Sequence, residues 1–455
     1  MTVRLGYCPR QIGWKSPTDR RAENMNLKEI EGAMIAQGVT TLLFKFLSPN
    51  DNSKNQIYLA GSLDILNVLP MGEVRSVSTP KGKHILSAAV DLHWLRDGGD
   101  PVAAPHAQLI LYPQYPEVRL SGFLLGARGA PNELMAPRDE GRVLFLGVTP
   151  AGRIMAHAAK DTALVAELGA LQDLEQTGAF KHFPIAGADG SRERLLARLA
   201  TIALAGWLPA QKLQTDGGIG PCSGTNCGGY TLEAQLGIAP NGRSEPDFEG
   251  WELKSHGVTR FDSLGVGQLT LMTPEPTGGL YRVDGAARFV RRFGYPDQSV
   301  EDRLNFSSPH RAWVRNSLTG LTLTLLGYDR QEERITDPHS SFALLNDQGE
   351  VAAEWHYASL LTHWNRKHNK AAYVPSLCQR GDPIQYRYGD RVRLGTGTDF
   401  DRFLSAISSG AIWYDPGIKL EGVSTANPRL KRRSQFRIRS ANLDRLYAKF
   451  EEAAL

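Results

Sequence analysis

Pro246-Asp247-Phe248-Glu249-Gly250-Trp251-Glu252-Leu253-Lys254-Ser255 is the stretch on which the fold turns. In a strand, alternate side chains share a face. Glu252 and Lys254 therefore point one way, and Trp251 and Leu253 point the other way, toward a core. Asp247 precedes them and comes back into register with Glu252 if the chain reverses at Glu249-Gly250. Two carboxylates offer hard oxygen ligands to Mg²⁺, which keeps several of its waters and bridges to a phosphate. Such an ion lowers the pKa of a bound water and stabilises charge developing on phosphorus. A lysine beside it orients the attacking water, helps to deprotonate it, or neutralises that charge. The combination suits hydrolysis of a phosphodiester.

By itself D-x4-E-x-K is a weak motif, because any strand with a solvated charged face produces E-x-K. The flanking sequence adds weight. Gly228-Gly229-Tyr230-Thr231-Leu232-Glu233-Ala234-Gln235-Leu236-Gly237-Ile238 lies upstream. Thr231 is a good N-cap, so the spacing predicts a helix over 231–236 with Glu233 in its first turn, within reach of the same metal or its water. Asn241 follows that helix.

Together GWLPAQKL, GGYTLEAQLGIAPN and PDFEGWELKS resemble the signature of the MvaI/BcnI restriction endonuclease family. That family is related to the mismatch-repair nickase MutH and has a PD-(D/E)xK nuclease core, with a glutamate borne on a helix ahead of the catalytic strand. Further segments resemble later parts of the family in the same order. They are Leu269-Thr270-Leu271-Met272-Thr273-Pro274-Glu275-Pro276, His363-Trp364-Asn365-Arg366-Lys367-His368, Ala372-Tyr373-Val374-Pro375, and the run from Ser409 through Arg432, Arg433 and Arg437 to Tyr447. The resemblance covers about residues 190–455.

The resemblance implies an α/β (α+β) core of the restriction-endonuclease type, a central mixed sheet flanked by helices. It also implies an endodeoxyribonuclease of the type II restriction or phage-defence kind, acting on double-stranded DNA with Mg²⁺, for which Mn²⁺ substitutes. Asp247 and Glu252 would bind the metal, Lys254 would assist the nucleophilic water, and Glu233 would support the site. His256 lies on the same strand face as Lys254 and would touch the scissile phosphate. Arg432, Arg433 and Arg437 fall where the family places DNA-contacting residues, gripping either base edges or phosphate. His363, Arg366, Lys367 and His368 form a basic helix face that would line the DNA cleft. The loop 215–229 and the region 277–350 are longer than the family pattern. Two alternatives stay open: a DNA-binding or sensing protein whose nuclease domain is regulated by the N-terminal part or by a partner protein, and a MutH-like strand nickase.

Length and composition set the frame. A chain of 455 residues favours two or three domains, at roughly 100–200 residues each. Hydrophobic residues make up 41% and charged residues 22%, as in ordinary globular proteins. No run approaches the ~20 apolar residues of a membrane helix, and the first 21 residues carry no apolar core of a signal peptide. The expectation is a cytoplasmic protein without membrane contact. Four cysteines agree with a reducing compartment, and Cys222 and Cys227 are expected as free thiols in a glycine-rich loop, since no further ligands are spaced for zinc. Net charge is +4, but residues 429–439 hold six cations and no acid, a run that attracts phosphate backbone or forms a solvated strand face. No G-x-x-x-x-G-K-[ST] segment is present, so no nucleotide cofactor is expected, and neither G-x-S-x-G nor H-E-x-x-H occurs. His106, His157 and His182 are scattered and read as ordinary core or surface residues.

Residues 1–185 read as a separate β-rich α+β domain to which the sequence assigns no role, with DNA or partner recognition as the expectation. Short runs rich in branched and aromatic residues predict strands within 39–47, 55–69, 107–115, 118–127 and 142–149. Helices are expected over 26–37 and 160–176. Ala186-Gly187-Ala188-Asp189-Gly190-Ser191 looks like a linker. Beyond it, helices are expected over 192–207, 352–368, 400–409 and 442–452, and strands over 246–255, 267–272, 371–375 and 435–440.

Overall fold

The computed structural model describes residues 25–49, 55–78, 84–96, 99–112, 115, 117–137, 139–185, 190–224, 226–239, 246–337 and 339–455. The N-terminal stretch read for a signal peptide, most of the expected linker and Asn241 lie outside them.

The acidic stretch folds as a tight reversal followed by a strand. Glu249 and Gly250 both have positive φ, 44° and 87°, and Phe248 and Trp251 exchange backbone hydrogen bonds of 2.9 and 2.8 Å. Such a turn matches the right-handed twist of a hairpin. The strand Glu252–Gly257 then runs parallel to Lys370–Gln379, with Glu252 opposite Ala371 and Lys254 opposite Tyr373. Lys370–Gln379 is the axis of a mixed sheet. Its antiparallel neighbours are Gln385–Tyr388 and Arg391–Thr396, and the outer positions are taken by Leu208–Pro209 and Lys449–Ala454.

Alternation assigns the two faces of this sheet. Leu253, Ala372, Val374 and Leu394 join one core with Leu195, Leu199 and Ile202 of the helix Ser191–Leu204 and Leu232 of the helix Cys227–Gln235. Ala371 and Tyr373 face another, with Leu360, Leu361 and Trp364 of the helix Tyr357–His368 and Phe403 of the helix Phe400–Ser408. Glu252 and Lys254 share the second side, and Trp251 and Leu253 are buried on the first, as the period of two requires.

All strands of two further sheets come from residues 41–183: a seven-stranded one containing Thr41–Leu47 and Arg142–Val148, and a five-stranded one containing Ile57–Ala60 and Glu117–Ser121. This part packs against the rest. The 3-10 helix Leu63–Asn67 meets the helix Tyr357–His368. Asn67 donates to the carbonyl of Thr398 and accepts from Asn369 at its own carbonyl, and Leu66 and Leu69 lie in one buried cluster with Leu360 and Trp364.

Several expected elements differ. Residues 352–368 split into a strand, Val351–His356, paired with Ser341–Leu345, and a helix from Tyr357. The apolar spacing that suggests one helix is shared between a strand face and a helix face. Residues 442–452 form the end of a 3-10 turn, Ser440–Leu446, and then the edge strand Lys449–Ala454. There the open edge of Arg391–Thr396 supplies hydrogen bonds that local propensity does not foresee. The helix expected over 160–176 stops at Ala170.

Trp364 is the tightest link between this scaffold and the acidic strand's face. It is fully buried, stacks on His368 at 4.2 Å and on Phe403 at 4.3 Å, and donates from Nε1 to Thr398 Oγ1. Trp364→Ala should cost about 3–5 kcal/mol in denaturant unfolding. A loss below about 1 kcal/mol would contradict the packing described.

Candidate active site

The reversal at Glu249-Gly250 lays Asp247 alongside the start of the strand. Its Oδ2 accepts a 2.9 Å hydrogen bond from the Leu253 backbone N–H. Arg194 pairs with Glu249 at the turn, and Trp251 Nε1 donates to Ser191 Oγ, so the helix Ser191–Leu204 holds the turn from behind.

Glu252 is the centre. Its side chain is only 2% exposed, and Oε1 receives Lys254 Nζ at 2.6 Å and faces Lys367 Nζ at 3.6 Å. Oε2 is buried and, among the described residues, has no hydrogen-bond partner. Burial pushes the carboxyl upward, but Lys254, with His368 and Lys367, outweighs it and holds Glu252 below the ordinary carboxylate range. Glu233 comes from the helix on the other side of the sheet. Burial first, then the charges of Asp247 and Glu252, push its pKa up to about 7. Asp247 is raised to about 6 by burial and by Glu252, against the Leu253 hydrogen bond and the two lysines. Three acids and two ammonium groups thus share one partly buried site. Clusters of mutually perturbed groups in clefts mark functional sites.

The group fits a divalent cation. An orphaned buried carboxylate oxygen is what a missing ligand leaves behind. Among the described residues no three His, Cys, Asp or Glu side chains close up as a complete cage.

The helix bearing Glu233 begins earlier than expected, at Cys227 with Asn226 before it. Thr231 is not its cap. It is buried mid-helix, with Oγ1 accepting from Gln211 N and donating to Gln211 O. The reason lies at Gly228, where a Cβ would meet the Tyr386 ring at 3.1 Å and whose carbonyl accepts from Tyr388 Oη at 2.6 Å. Glycine there lets the first helical turn lie against the sheet. Cys222 and Cys227 are not free thiols. They form a disulfide that ties the preceding hairpin to the helix start, which removes support from the argument for a reducing compartment.

Other expected site residues scatter. His256 is buried at 6% exposure rather than offered to a substrate, and burial and the Arg393 charge push its pKa down to about 4. His368 is completely buried against Trp364, with Nε2 hydrogen-bonded to the Leu271 carbonyl, so the basic helix face expected at 363–368 does not include it. Burial and the lysines lower the pKa of His363; nothing is described of the Arg366 side chain. Lys367 points at Glu252 instead of outward. It is placed there by the strand that follows, which sets Ala371 opposite Glu252. Arg437 pairs with Asp415 at 2.9 Å, Arg433 donates to Gln435 Oε1, and Arg432 is exposed. Gln435 also bonds Thr270 and Asp415, so Arg433 and Arg437 join a polar cluster at the three-stranded sheet of Gln268–Met272, Phe436–Arg439 and Ile412–Tyr414.

With this geometry in view, comparisons assign the class. The sequence profile of the MvaI/BcnI restriction endonuclease family matches residues 196–447, more than half of the chain, and the protein belongs to that family. It is an endodeoxyribonuclease, and enzymes of its family generally use divalent metal ions. Among solved structures, it is similar to the restriction endonuclease MvaI in complex with its cognate DNA substrate, at 17% identity and a TM-score of 0.44, over 58% of this chain and 98% of that one. MvaI in the absence of DNA matches at 15% identity and a TM-score of 0.33, over 59% and 99%. None of the curated proteins matches. Among the described residues no helix is long and apolar enough to cross a membrane.

The raised acids make a stability prediction for the metal-free protein. Glu233 and Asp247 keep protons in the folded chain that the unfolded chain has lost between about pH 4 and pH 7. The native state binds more protons there, so these two groups lower stability as pH rises through that window. Glu233→Gln should flatten the decline and leave the variant more stable than wild type at pH 8, by roughly 1 kcal/mol once the shift is discounted for partial exposure. Thermal melts in a chelating buffer from pH 5 to 8 read this out, and parallel curves for the two proteins would refute it.

Proposed function

We propose that this enzyme is a Mg²⁺-dependent, site-specific endonuclease of restriction or phage-defence type, cutting double-stranded DNA in the cytoplasm. The carrying observation is Glu252: a buried carboxylate with one oxygen between two ammonium groups and the other without a partner. Asp247 and Glu252 would hold the ion, with Mn²⁺ able to substitute, and Glu233 would complete the site through water. When bound, the ion lowers the pKa of a coordinated water and stabilises charge on the scissile phosphorus. Lys254, with Nζ donating to Glu252 Oε1, would orient the attacking water. Lys367 adds a second positive charge on the same oxygen, placed to offset charge gathering on the phosphate. Burial strengthens both interactions by excluding water. Arg432, Arg433 and Arg437 would contact DNA. Asp415 and Gln435 would hold Arg433 and Arg437 in fixed directions, which favours recognition of a defined edge over loose phosphate contact. A chain division near residue 186 accords with sheets that share no strands across it.

Plasmid cleavage with Mg²⁺ tests the reading. Lys254→Ala should lower the cleavage rate by about 10²–10³-fold. Lys367→Gln should lower it by roughly 10–100-fold, the loss of one charge-assisted contact. Discrete fragments with uniform ends on sequencing are expected. Accumulation of open circles alone would instead identify a strand nickase. Tight DNA binding without cleavage, across divalent metals, would leave a sensing protein and sink the active-nuclease reading. A Lys367→Gln enzyme as fast as wild type would remove Lys367 from the site.

A further inference from the structure

The N-terminal sheets carry a second candidate site. A cavity of about 360 Å³ opens where the strand Thr41–Leu47 of the seven-stranded sheet passes Ile57–Ala60 of the five-stranded one. This lies within the range of small-molecule pockets, roughly 300–1,000 Å³. Leu47, Ile57 and Met135 contribute apolar lining, and Tyr58 an aromatic ring that is 43% exposed. Cations outnumber acids: Lys45, Arg119 and Arg142 against Glu117.

The cations are not equivalent. Arg142 is buried and donates to the carbonyls of Ser48, Leu134 and Asp139, so it fixes the cavity wall. Arg119 stands opposite Tyr58 in register and uses Nε on Glu117 at 2.6 Å, while its two terminal amines make no hydrogen bond among the described residues. Lys45 donates to the Tyr58 carbonyl and sits 5.0 Å from the Tyr58 ring centroid. Among the described residues no carboxylate is within ion-pair distance of it, and burial lowers its pKa to about 8. A partly desolvated ammonium and a guanidinium with open donors, beside an aromatic ring and an apolar floor, are held ready for an anion with a flat apolar body. Arginine's terminal amines match phosphate oxygens, and aromatic rings stack on bases.

We propose that this cavity binds a nucleoside monophosphate unit, with Lys45 and Arg119 on the phosphate and Tyr58 against the base. Two sources present that unit: a nucleotide turned out of the DNA duplex, or a free mononucleotide acting as an effector. Extrusion of one nucleotide into a pocket costs a few kcal/mol and is least for an unpaired base. The site is one of recognition, distinct from the acids at Asp247 and Glu252, and no bond is made or broken in it.

Direct binding to the full chain tests this, in chelating buffer so that no cleavage is required. The probes are the four deoxynucleoside 5′-monophosphates, inorganic phosphate, and two short duplexes, one fully paired and one with a single unpaired nucleotide. At least one mononucleotide should bind with Kd on the order of 0.1 mM, a modest affinity for a small ligand. It should bind more tightly than phosphate, and the combined Lys45→Met and Arg119→Gln changes should weaken it at least about tenfold. Tighter binding of the unpaired-nucleotide duplex, lost in the same variant, assigns DNA as the source; mononucleotide binding without that preference assigns a free effector. Tyr58→Ala, at an exposed ring, keeps the test open should the double variant fail to fold. The proposal is overturned if neither a mononucleotide nor the unpaired-nucleotide duplex shows the preference, if phosphate binds as well as every nucleotide, or if binding survives in both variants. Because the readout needs no cleavage, such a failure leaves the nuclease reading where it stood.

Discussion

Burying the Glu252 carboxylate constrains everything around it. An ionised acid in a low-dielectric interior costs several kcal/mol unless it is paired and hydrogen-bonded. Lys254 supplies that pairing from the same strand face, and Lys367 supplies more from the end of the helix Tyr357–His368. This helix must therefore pack tightly on the sheet, and it does so through Trp364 and Leu361. The strand that follows it, Lys370–Gln379, must run parallel to Glu252–Gly257 to keep Lys367 at the carboxylate. A parallel pair needs a crossover connection, and the residues between the two strands provide it.

The second requirement is that Asp247 return to the strand it has just left. Four residues separate it from Glu252 in sequence, and a two-residue reversal with both φ positive makes them neighbours. Gly250 meets that demand without penalty, whereas Glu249 adopts it against its side chain's preference and is held by Arg194. The turn is thus a small strain placed at the site, supported by the helix behind it.

Much of this was legible in the residues. Period-two alternation around Trp251, Glu252, Leu253 and Lys254 assigns faces correctly because one face is buried and a slip of one residue would invert both. The Glu249-Gly250 reversal was legible because glycine takes a positive φ freely and a reversal there returns Asp247 to Glu252. Other features depend on distant partners. Whether Lys367 faces solvent or Glu252 is decided by the register of Ala371 against Glu252, which no local pattern encodes. Residues 449–454 form a strand because Arg391–Thr396 leaves an edge to pair with. His256 occupies a strand position on Lys254's face, yet the strand passes beneath Ser376 and Arg393 two residues later, so the same face changes from site to core.

The N-terminal sheets fit the same logic at a larger scale. Their strands never enter the sheet that carries Glu252, yet their apolar core is continuous with the core behind the helix Tyr357–His368. Asn67 bonds both Thr398, which also accepts from Trp364, and Asn369, which follows Lys367 by two residues. Coupling between sites requires contiguous packing with two arrangements, and contiguity is present here. The first part of the chain thus packs against the helix Tyr357–His368, whose last turn carries Lys367.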